Sequence, residues 1–319
     1  MSTATAVATV AAVAVASPPC LTSRELERLG RMGVAPPQLV RETRDAAGVT
    51  QKFLFRLDDG VLVETVLMLY PKRATVCLSA QAGCAMGCVF CATGRMGLRR
   101  NLSAAEIAGQ ALFAQQTLAR EGVRLRNAVF MGMGEPLDNY DAVMGAADIL
   151  RDPGSFALRA GRITLSTVGV VPQIRRLTDE ARPVRLAVSL HAASQKERAA
   201  LIPAARKWPL DTLIEACRYH AEKMRRRIFF EWTLIRGKND TPEHAQCLAD
   251  LLAGLASHVN LIPLNPVAAY AGGLGTEAEK AREFQAVLLA RGIPATLRQY
   301  RGADISAACG QLCAENTTG

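Results

Sequence analysis

Residues 81–101 decide the fold and read Gln-Ala-Gly-Cys-Ala-Met-Gly-Cys-Val-Phe-Cys-Ala-Thr-Gly-Arg-Met-Gly-Leu-Arg-Arg-Asn. They place Cys84, Cys88 and Cys91 in a C-x3-C-x2-C array. These spacings let one short loop surround a single 4Fe–4S cluster, and the interleaved glycines let the backbone curl around it. Three thiolates on four irons leave one iron open. That iron can chelate the amino and carboxylate groups of S-adenosylmethionine (SAM) and reduce its sulfonium, which produces an adenosyl radical.

Two other uses of these cysteines fit the sequence less well. A structural zinc site needs a fourth Cys or His at finger-like spacing, and none follows within about thirty residues. A disulfide framework is typical of smaller, more cysteine-dense chains in an oxidising compartment. The spacing therefore favours the iron–sulfur cluster over both.

Composition limits the class of protein. The chain has 319 residues, 50% of them hydrophobic and 21% charged, which is typical of a globular protein with a large core. The net charge of +9 is consistent with a polyanionic partner or with a solvated basic face. Nine cysteines, an odd number with three assigned to a cluster, indicate a reducing compartment. We therefore predict a cytoplasmic protein.

The first residues differ in composition from the rest. Residues 1–17 are mostly Ala, Val and Thr, and they contain no Lys or Arg. A secretory signal peptide needs a basic segment at its start, and this stretch is too short to span a bilayer. We predict a disordered, low-complexity extension over residues 1–20 and no membrane association.

A small accessory region is predicted over residues 21–70. Its first part suggests a helix that Thr22 or Ser23 caps and that Pro36 and Pro37 interrupt.

A β-hairpin completes the accessory region. Residues 52–57 and 61–70 alternate, in part, between apolar and polar side chains, and Asp59-Gly60 lies between them. This is the pattern of two antiparallel strands joined at a tight turn.

Residues 71–300 repeat a unit of apolar strand, turn and amphipathic helix. The predicted strands are residues 75–79, 127–131, 162–166, 185–190, 228–234 and 259–264. The predicted helices include residues 104–120, 140–150, 210–223, 242–255 and 277–290. This alternation predicts an α/β fold with a parallel sheet, either open and doubly wound or an incomplete barrel. Both architectures place chemistry at the carboxyl ends of the strands.

Polar side chains and glycines follow these strand ends. The second strand leads into Gly132-Met-Gly134-Glu135-Pro136, where the backbone can approach a ligand and Glu135 can accept hydrogen bonds from an amino group. The later strands lead into Ser166, Ser189, Leu190, His191 and Asn265. Hydroxyl, imidazole and amide groups suit a nucleoside cofactor. The alternatives are that the two serines cap the following helices and that His191 is structural.

The tail, residues 301–319, supplies a second chemical signal. Cys309 lies in a segment of small residues, Asp304-Ile-Ser-Ala-Ala-Cys309-Gly-Gln-Leu312. The helical spacing between Cys309 and Cys313 suits a second metal site, but no other Cys or His is near in sequence. A mobile nucleophilic thiol at Cys309 is the favoured interpretation.

An ordered set of motifs extends from residue 63 to residue 312. The motifs are Val63-Glu64-Thr65-Val66, Cys77-Leu-Ser-Ala-Gln-Ala-Gly-Cys84, Arg100-Asn101-Leu102 after the cysteine loop, Gly132-Met-Gly-Glu-Pro136, Ser166-Thr167, Ser189-Leu-His191, Leu261-Ile-Pro-Leu-Asn265-Pro266 and Asp304-Ile-Ser-Ala-Ala-Cys309-Gly-Gln-Leu312. In this order they closely resemble the RlmN/Cfr family of radical SAM RNA methyltransferases. The resemblance implies a partial (β/α)6 barrel.

The resemblance also implies an unusual mechanism with two SAM molecules per turnover. One methylates the thiolate of Cys309. The second, on the cluster held by Cys84, Cys88 and Cys91, gives an adenosyl radical that removes a hydrogen atom from this methyl group. The carbon radical then adds to an adenine carbon and joins protein and RNA covalently.

Two further residues receive roles only from the resemblance. Glu64 would remove the ring proton, and Cys77 would resolve the adduct by forming a disulfide with Cys309. From the residues alone, Glu64 reads as an exposed strand carboxylate and Cys77 as a small buried hydrophobe. In the family pattern the residues that hold SAM are Gly134, Glu135, Ser166, Ser189, Leu190, His191 and Asn265.

The resemblance also implies the partners. The RNA substrate would be large-subunit (23S) rRNA, with tRNA as a second candidate. The enzyme would be a monomer, and a one-electron donor such as flavodoxin would reduce it. Phosphate contacts are expected from the basic run at residues 223–227 and from Arg298 and Arg301. The sequence does not decide whether C2 or C8 of adenosine is methylated. Two other classes stay open: a radical SAM enzyme that acts on a small molecule without a methyl-cysteine, and a noncatalytic RNA-binding relative.

Overall fold

The computed structural model describes residues 21–71, 73–267, 270, 273–298 and 301–314, so the predicted extension at residues 1–20 lies outside them. The strands are β1 Gln38–Arg44, β2 Thr50–Arg56, β3 Leu62–Tyr70, β4 Arg73–Cys77, β5 Gln81–Cys84, β6 Gly97–Asn101, β7 Leu125–Phe130, β8 Ile163–Thr167, β9 Arg185–Ser189, β10 Ile228–Leu234, β11 Ser257–Pro263 and β12 Ala295–Leu297. The helices are α1 Ser23–Arg31, α2 Ala92–Arg95, α3 Ala104–Ala119, α4 Tyr140–Arg151, α5 Val171–Asp179, α6 Gln195–Leu201, α7 Leu210–Met224, α8 Pro242–Leu251 and α9 Ala278–Ala290. Short 3-10 turns lie at Pro136–Asn139, Ala160–Arg162 and Pro203–Arg206.

The first helix begins where its sequence predicts. The Thr22 side chain accepts the Glu25 N–H, and the Glu25 carboxylate accepts the Thr22 N–H at 2.7 Å. This reciprocal capping box satisfies two N–H groups that a helix start leaves unpaired. Of the two candidate caps, Thr22 is therefore the one used.

The accessory hairpin is part of the main sheet. Strands β1, β2 and β3 pair antiparallel in that order, and β3 pairs antiparallel with β4. Gly60 adopts φ +82° in the turn between β2 and β3, as the Asp59-Gly60 pair predicts. The accessory region thus extends the edge of the sheet that carries the chemistry.

All six predicted strands of the repeat form and run parallel. The ten-stranded sheet has the order β1-β2-β3-β4-β7-β8-β9-β10-β11-β12, and every pairing from β4 onward is parallel. The five predicted helices also form, and α2, α5 and α6 are additional. The short strand β12 continues the parallel series at its far edge.

The core lies between this sheet and its helices. Its largest fully buried side chains include Trp232, Phe230 and Phe130 on the strands and Phe284 on α9. A second, smaller apolar cluster surrounds the cysteine loop: Cys84, Met86, Cys88, Phe90, Ala192, Leu201, Ile202, Ala205, Ile235 and Leu264. The thiols at the carboxyl edge of the sheet therefore lie in apolar surroundings. Among the helices that the structure describes, none has the length and apolar character needed to cross a membrane.

Candidate active site

The cysteine loop is held at its base by a two-stranded ribbon. Strands β5 and β6 pair antiparallel, and Cys84 lies opposite Gly97. Gly83 adopts φ +75°, and a Cβ there would lie 1.9 Å from the Gly97 carbonyl oxygen. Only glycine fits this close approach. The ribbon fixes both ends of the segment that carries the three thiols.

One cavity collects most of the residues predicted for the site. Its wall includes Cys84, Cys88, Cys91, Gly134, Glu135, Ser166, Ser189, His191, Asn265 and Cys309. These residues come from the cysteine loop, from the ends of the parallel strands and from the tail. The carboxyl ends of parallel strands meet at one edge of a sheet, which is why residues far apart in sequence converge here.

Burial disfavours the thiolate form of the three loop cysteines. Burial raises the pKa of Cys84 to about 12. Burial also raises the pKa of Cys88 and Cys91, and the neighbouring thiols raise that of Cys88 further. A positively charged cluster reverses this balance because it stabilises thiolates directly. Among the described residues, no group of three or more His, Cys, Asp or Glu side chains is arranged to hold a single metal ion.

Glu135 is anchored by backbone amides at the rim of the cavity. Its Oε1 accepts the Leu137 N–H at 3.0 Å and its Oε2 accepts the Val168 N–H at 2.8 Å. Burial raises the pKa of this carboxyl to about 7, against the effect of these hydrogen bonds. The preceding Gly134 adopts φ +96° and packs on Gln81, where a Cβ would lie 2.5 Å from the Gln81 Cβ. The turn is therefore rigid and presents a carboxyl group that still has acceptor capacity.

The two serines face each other rather than cap helices. The Oγ atoms of Ser166 and Ser189 lie 3.4 Å apart, and both residues line the cavity. Helix α5 is preceded by Val170 without a side-chain cap, and α6 is capped by Ser194. The capping alternative is therefore wrong for both serines.

His191 combines a structural contact with a place in the cavity wall. Its Nδ1 accepts the Thr233 N–H at 2.9 Å, which assigns the proton of the neutral ring to Nε2. Burial lowers the pKa of the imidazole to about 3, so the ring is neutral. Its φ of +59° is rare for a residue with a Cβ and is found mostly where function or packing requires it.

Leu190 has a different environment from the other predicted SAM contacts. Its side chain is fully buried in the main core, and its N–H donates to the Glu231 carbonyl at 3.0 Å. It is not among the residues that line the cavity.

The tail docks onto the cysteine loop through main-chain hydrogen bonds. Asn265 Nδ2 donates to the Cys309 carbonyl at 3.2 Å, and the Ala92 N–H donates to the Gly310 carbonyl at 2.7 Å. Thr93 Oγ1 donates to the Leu312 carbonyl at 2.6 Å. These contacts place Cys309 on the cavity wall with the three loop thiols.

Cys309 and Cys77 are both free thiols, and each lies in an environment that favours the protonated form. The surface of Cys309 is accessible although protein surrounds it, and burial raises its pKa. Cys77, at the end of β4, is buried as its sequence predicts, and burial with the nearby Cys309 charge raises its pKa well above the ordinary value. The charge of Cys309 thus acts on Cys77, although Cys77 is not part of the cavity wall.

Glu64 is buried, so the reading of an exposed strand carboxylate is wrong. It is 2% exposed on β3, where its Oε1 lies 2.9 Å from Lys52 Nζ and its Oε2 accepts the Cys313 N–H at 2.8 Å. Lys52 Nζ also donates to the Ser306 carbonyl at 3.2 Å. The tail therefore contacts Glu64 and Lys52, and the local sequence pattern could not predict the contact between Glu64 and Cys313 because the two residues are 249 positions apart. Glu64 therefore lies under the tail and outside the cavity wall.

Two buried charged residues were missed by sequence reasoning. Glu231, on β10, is 5% exposed and lines the cavity. Arg198, on α6, is fully buried and donates to the carbonyls of Val168 and Ser189. A charge inside the apolar run Phe229-Phe230-Glu231-Trp232 is a signal that could have identified Glu231.

The basic residues divide between two ends of the sheet. Arg298 lines the cavity, and Arg301 donates to the Leu69 carbonyl at 3.1 Å. The run at residues 223–227 precedes β10 and so lies at the amino edge of the strands, opposite the cavity. Lys223 in that run pairs with Asp179 at 2.6 Å.

Comparison with known proteins identifies this arrangement. The radical SAM superfamily matches residues 78–248. The chain is 57% identical over 289 residues to the dual-specificity RNA methyltransferase RlmN 1 of Myxococcus xanthus, covering 91% of this chain and 79% of the relative. The chain belongs to the RlmN family of radical SAM RNA methyltransferases. It is also 52% identical to the probable RlmN 2 of Opitutus terrae, covering 92% of this chain and 76% of that relative.

A solved structure supports the RlmN assignment. A radical SAM methyltransferase from Sphaerobacter thermophilus superposes with a TM-score of 0.87 at 50% identity, covering 91% of this chain and 85% of that one. The predicted partial barrel of the radical SAM type is thereby confirmed. The chain is a methyltransferase that uses SAM by a radical mechanism, and its family implies a 4Fe–4S cluster, SAM and an RNA substrate.

The residues present fit these cofactors. Three thiols on one cavity wall match the donor set of a cluster with an open iron. Gly94 makes room beside them, because a Cβ there would lie 3.0 Å from the Cys88 backbone nitrogen. The same wall carries carboxylate, hydroxyl and amide groups of the kind that bind a nucleoside with an amino acid tail.

Proposed function

We propose that this enzyme methylates an sp2 ring carbon of adenosine, C2 or C8, in large-subunit rRNA, with tRNA as a second substrate. The observation that carries the proposal is the position of Cys309 on the same cavity wall as Cys84, Cys88 and Cys91. The name of the relatives, dual-specificity RNA methyltransferase, supports two RNA substrates. Adenine ring carbons are poor nucleophiles, so a methyl group carried by the protein and activated as a radical replaces direct polar transfer.

Three thiolates, those of Cys84, Cys88 and Cys91, hold the cluster in this proposal. The residues proposed to hold SAM are Gly134, Glu135, Ser166, Ser189, Leu190, His191 and Asn265. When bound, the cluster and SAM would supply one-electron chemistry, which would remove a hydrogen atom from the methyl group on Cys309 and accept one electron from the RNA adduct. Two SAM molecules are consumed per turnover.

Cys309 forms and breaks the covalent bonds. Its thiol loses a proton to solvent, and the thiolate sulfur takes the methyl group of SAM, whose carbon–sulfonium bond breaks to release S-adenosylhomocysteine. After hydrogen-atom removal, the methyl carbon bonds to the adenine ring carbon, and Cys309 is joined to RNA through a thiomethylene group. Asn265 positions this segment through the Cys309 carbonyl.

Glu64 is proposed to take the ring proton of the adduct. In the structure both of its oxygens are engaged, by Lys52 Nζ and by the Cys313 N–H. Release of the Cys313 N–H frees Oε2 as the proton acceptor, while Lys52 keeps the carboxylate charged. Proton removal therefore requires that the tail, residues 301–319, moves away from Glu64. We assign this tail as the segment that carries the methyl acceptor.

Cys77 is proposed to release the product. Its thiolate attacks the Cys309 sulfur, the bond from sulfur to the methylene carbon breaks, and the carbanion takes a proton to become the methyl group of the RNA. The two cysteines become a disulfide, which a cellular dithiol reduces. The electrostatic proximity of the thiols supports this pairing.

The remaining partners follow from the sequence. We propose that a flavodoxin-like protein donates the electron, that the enzyme acts as a cytoplasmic monomer, and that Arg298 and Arg301 contact RNA phosphates near the cavity. Extrusion of the target base allows an adenine to reach the Cys309 thiol in the cavity wall.

Two measurements on the anaerobic holoenzyme test the proposed function. Incubation with methyl-labelled SAM should add one methyl group to the peptide that contains Cys309. Digestion of 23S rRNA and tRNA treated with the enzyme should then show methyladenosine, whose retention time identifies the ring carbon. An unmethylated Cys309 together with methylated RNA would overturn the methyl-cysteine route.

A further inference from the structure

Glu231 has an oxygen that the protein does not satisfy. It lies on β10 and is 5% exposed. Its Oε1 accepts Asn260 Nδ2 at 2.8 Å. Within the described part of the chain its Oε2 is buried and has no hydrogen-bond partner. A buried acceptor without a donor destabilises a fold, so a group of this kind in a cavity wall points to a ligand.

The position of Glu231 completes a polar row across four neighbouring strands. Ser166 on β8 faces Ser189 on β9 at 3.4 Å. Ser189 is in register with Glu231 on β10, and Glu231 is in register with Asn260 on β11. Ser166, Ser189 and Glu231 all line the cavity. The Glu231 carboxylate therefore continues the row formed by the Ser166 and Ser189 hydroxyls, which we propose contact SAM.

Depth favours a small ligand over RNA. Glu231 lies three residues before Leu234, the last residue of β10, so it is about 10 Å below the strand end at the usual rise per residue. Arg298 lines the same cavity, is exposed, and is the residue that we propose contacts RNA phosphates. A nucleoside that enters the cavity brings ribose hydroxyls and an adenine amino group, which are donors that a carboxylate accepts.

We infer that Glu231 Oε2 accepts a hydrogen bond from a hydroxyl or amino group of the bound SAM. This inference rests on the proposed function, since it places SAM in the cavity. Glu231 acts as a binding and positioning residue, because a donor of the ligand satisfies an oxygen that is otherwise buried without a partner. In the ligand-free protein the same oxygen is a source of instability.

Two substitutions separate binding from structure. Glu231→Leu removes both acceptor and charge, and we expect it to weaken SAM binding by about tenfold or more, measured by equilibrium dialysis of labelled SAM against the anaerobic holoenzyme. Glu231→Gln keeps an acceptor oxygen and should weaken binding by about threefold. The melting temperature of ligand-free Glu231→Leu should equal or exceed that of the wild type, because a buried oxygen without a hydrogen-bond donor has been removed.

Asn260→Ala is the matched control. It removes the contact between Asn260 and Glu231 Oε1 but leaves Oε2 in place. We expect a lower melting temperature and a SAM dissociation constant within about twofold of the wild type. Unchanged SAM binding in Glu231→Leu, equal losses in Glu231→Leu and Asn260→Ala, or a loss of affinity for an RNA hairpin alone would each overturn the inference.

The outcome is distinguishable from failure of the proposed function. Methylation of Cys309 and of RNA by the wild type tests that function without any Glu231 variant. Wild-type methylation together with unchanged SAM binding in Glu231→Leu would remove only the role of Glu231.

Discussion

The ion pair between Lys52 and Glu64 makes a sharp prediction about stability. The Lys52 and Glu64 side chains are 13% and 2% exposed, and their charged atoms lie 2.9 Å apart. Removal of one partner of a buried pair costs about 3–5 kcal/mol, because the remaining charge is buried without compensation. In Lys52→Met the Cys313 N–H at 2.8 Å still donates to Glu64, so we expect a loss of about 2–4 kcal/mol in the free energy of unfolding.

Urea denaturation of the anaerobic holoenzyme, followed by circular dichroism, measures this loss. The double variant Lys52→Met with Glu64→Gln should recover most of it, since no buried charge remains, with a coupling energy of about 2 kcal/mol. Arg176→Met is the matched control: Arg176 pairs with Asp141 at 2.6 Å and with Glu180 at 2.7 Å, but the three side chains are 42%, 82% and 37% exposed. That variant should lose less than about 1 kcal/mol. The reasoning is refuted if Lys52→Met costs no more than Arg176→Met, or if the double variant is no more stable than Lys52→Met.

Three further predictions concern the cavity, pH and RNA. Gly134→Ala places a Cβ 2.5 Å from the Gln81 Cβ at φ +96°, and we expect a loss of about 1–3 kcal/mol in unfolding free energy and weaker SAM binding by dialysis; wild-type values for both would contradict the assigned geometry. Burial lowers the pKa of His220 to about 4. As pH falls below about 6.5, this histidine therefore binds a proton in the unfolded chain before it does so in the folded protein, and the free energy of unfolding should decrease towards pH 4. His220→Gln should make the dependence of unfolding free energy on pH less steep, and an unchanged slope would exclude this histidine as a source. Arg298→Ala should weaken binding of a short RNA hairpin and reduce the slope of log K against log salt by about 1. Arg227→Ala is the control, since Arg227 lies at the opposite edge of the sheet, and it should leave hairpin binding unchanged. Equal effects of the two substitutions would show that the amino edge also contacts this RNA.

The strands and the thiols could be predicted because their signals are local. An apolar run bounded by turn residues is sufficient to define β10, and its predicted and observed bounds agree. The spacing of Cys84, Cys88 and Cys91 defines one loop, and parallel topology then carries the other strand ends to it. Strand β1 was not predicted because most of its residues are exposed and its pairing with β2 alone defines it.

The environments of the acidic residues could not be predicted from local sequence. Glu64 is a carboxylate in a strand of the accessory hairpin and so is expected to be exposed, but it is buried because the tail returns across β3 from the end of the chain. The surroundings of the unpaired Glu231 oxygen are set by three strands, because Glu231 on β10 is in register with Ser189 on β9 and with Asn260 on β11. The position of the basic run, by contrast, follows from its place just before β10.

The covalent adduct is the most direct test of the central claim that Cys309 carries the methyl group and Cys77 releases the product. Cys77→Ala holoenzyme, incubated anaerobically with SAM and an rRNA fragment, should accumulate protein joined to RNA, and mass spectrometry of the nuclease and protease digest should place adenosine on the Cys309 peptide through one carbon. Cys309→Ala should give no adduct and no methylated RNA. Release of methylated RNA by Cys77→Ala without adduct, or methylation of RNA by Cys309→Ala, would contradict the account.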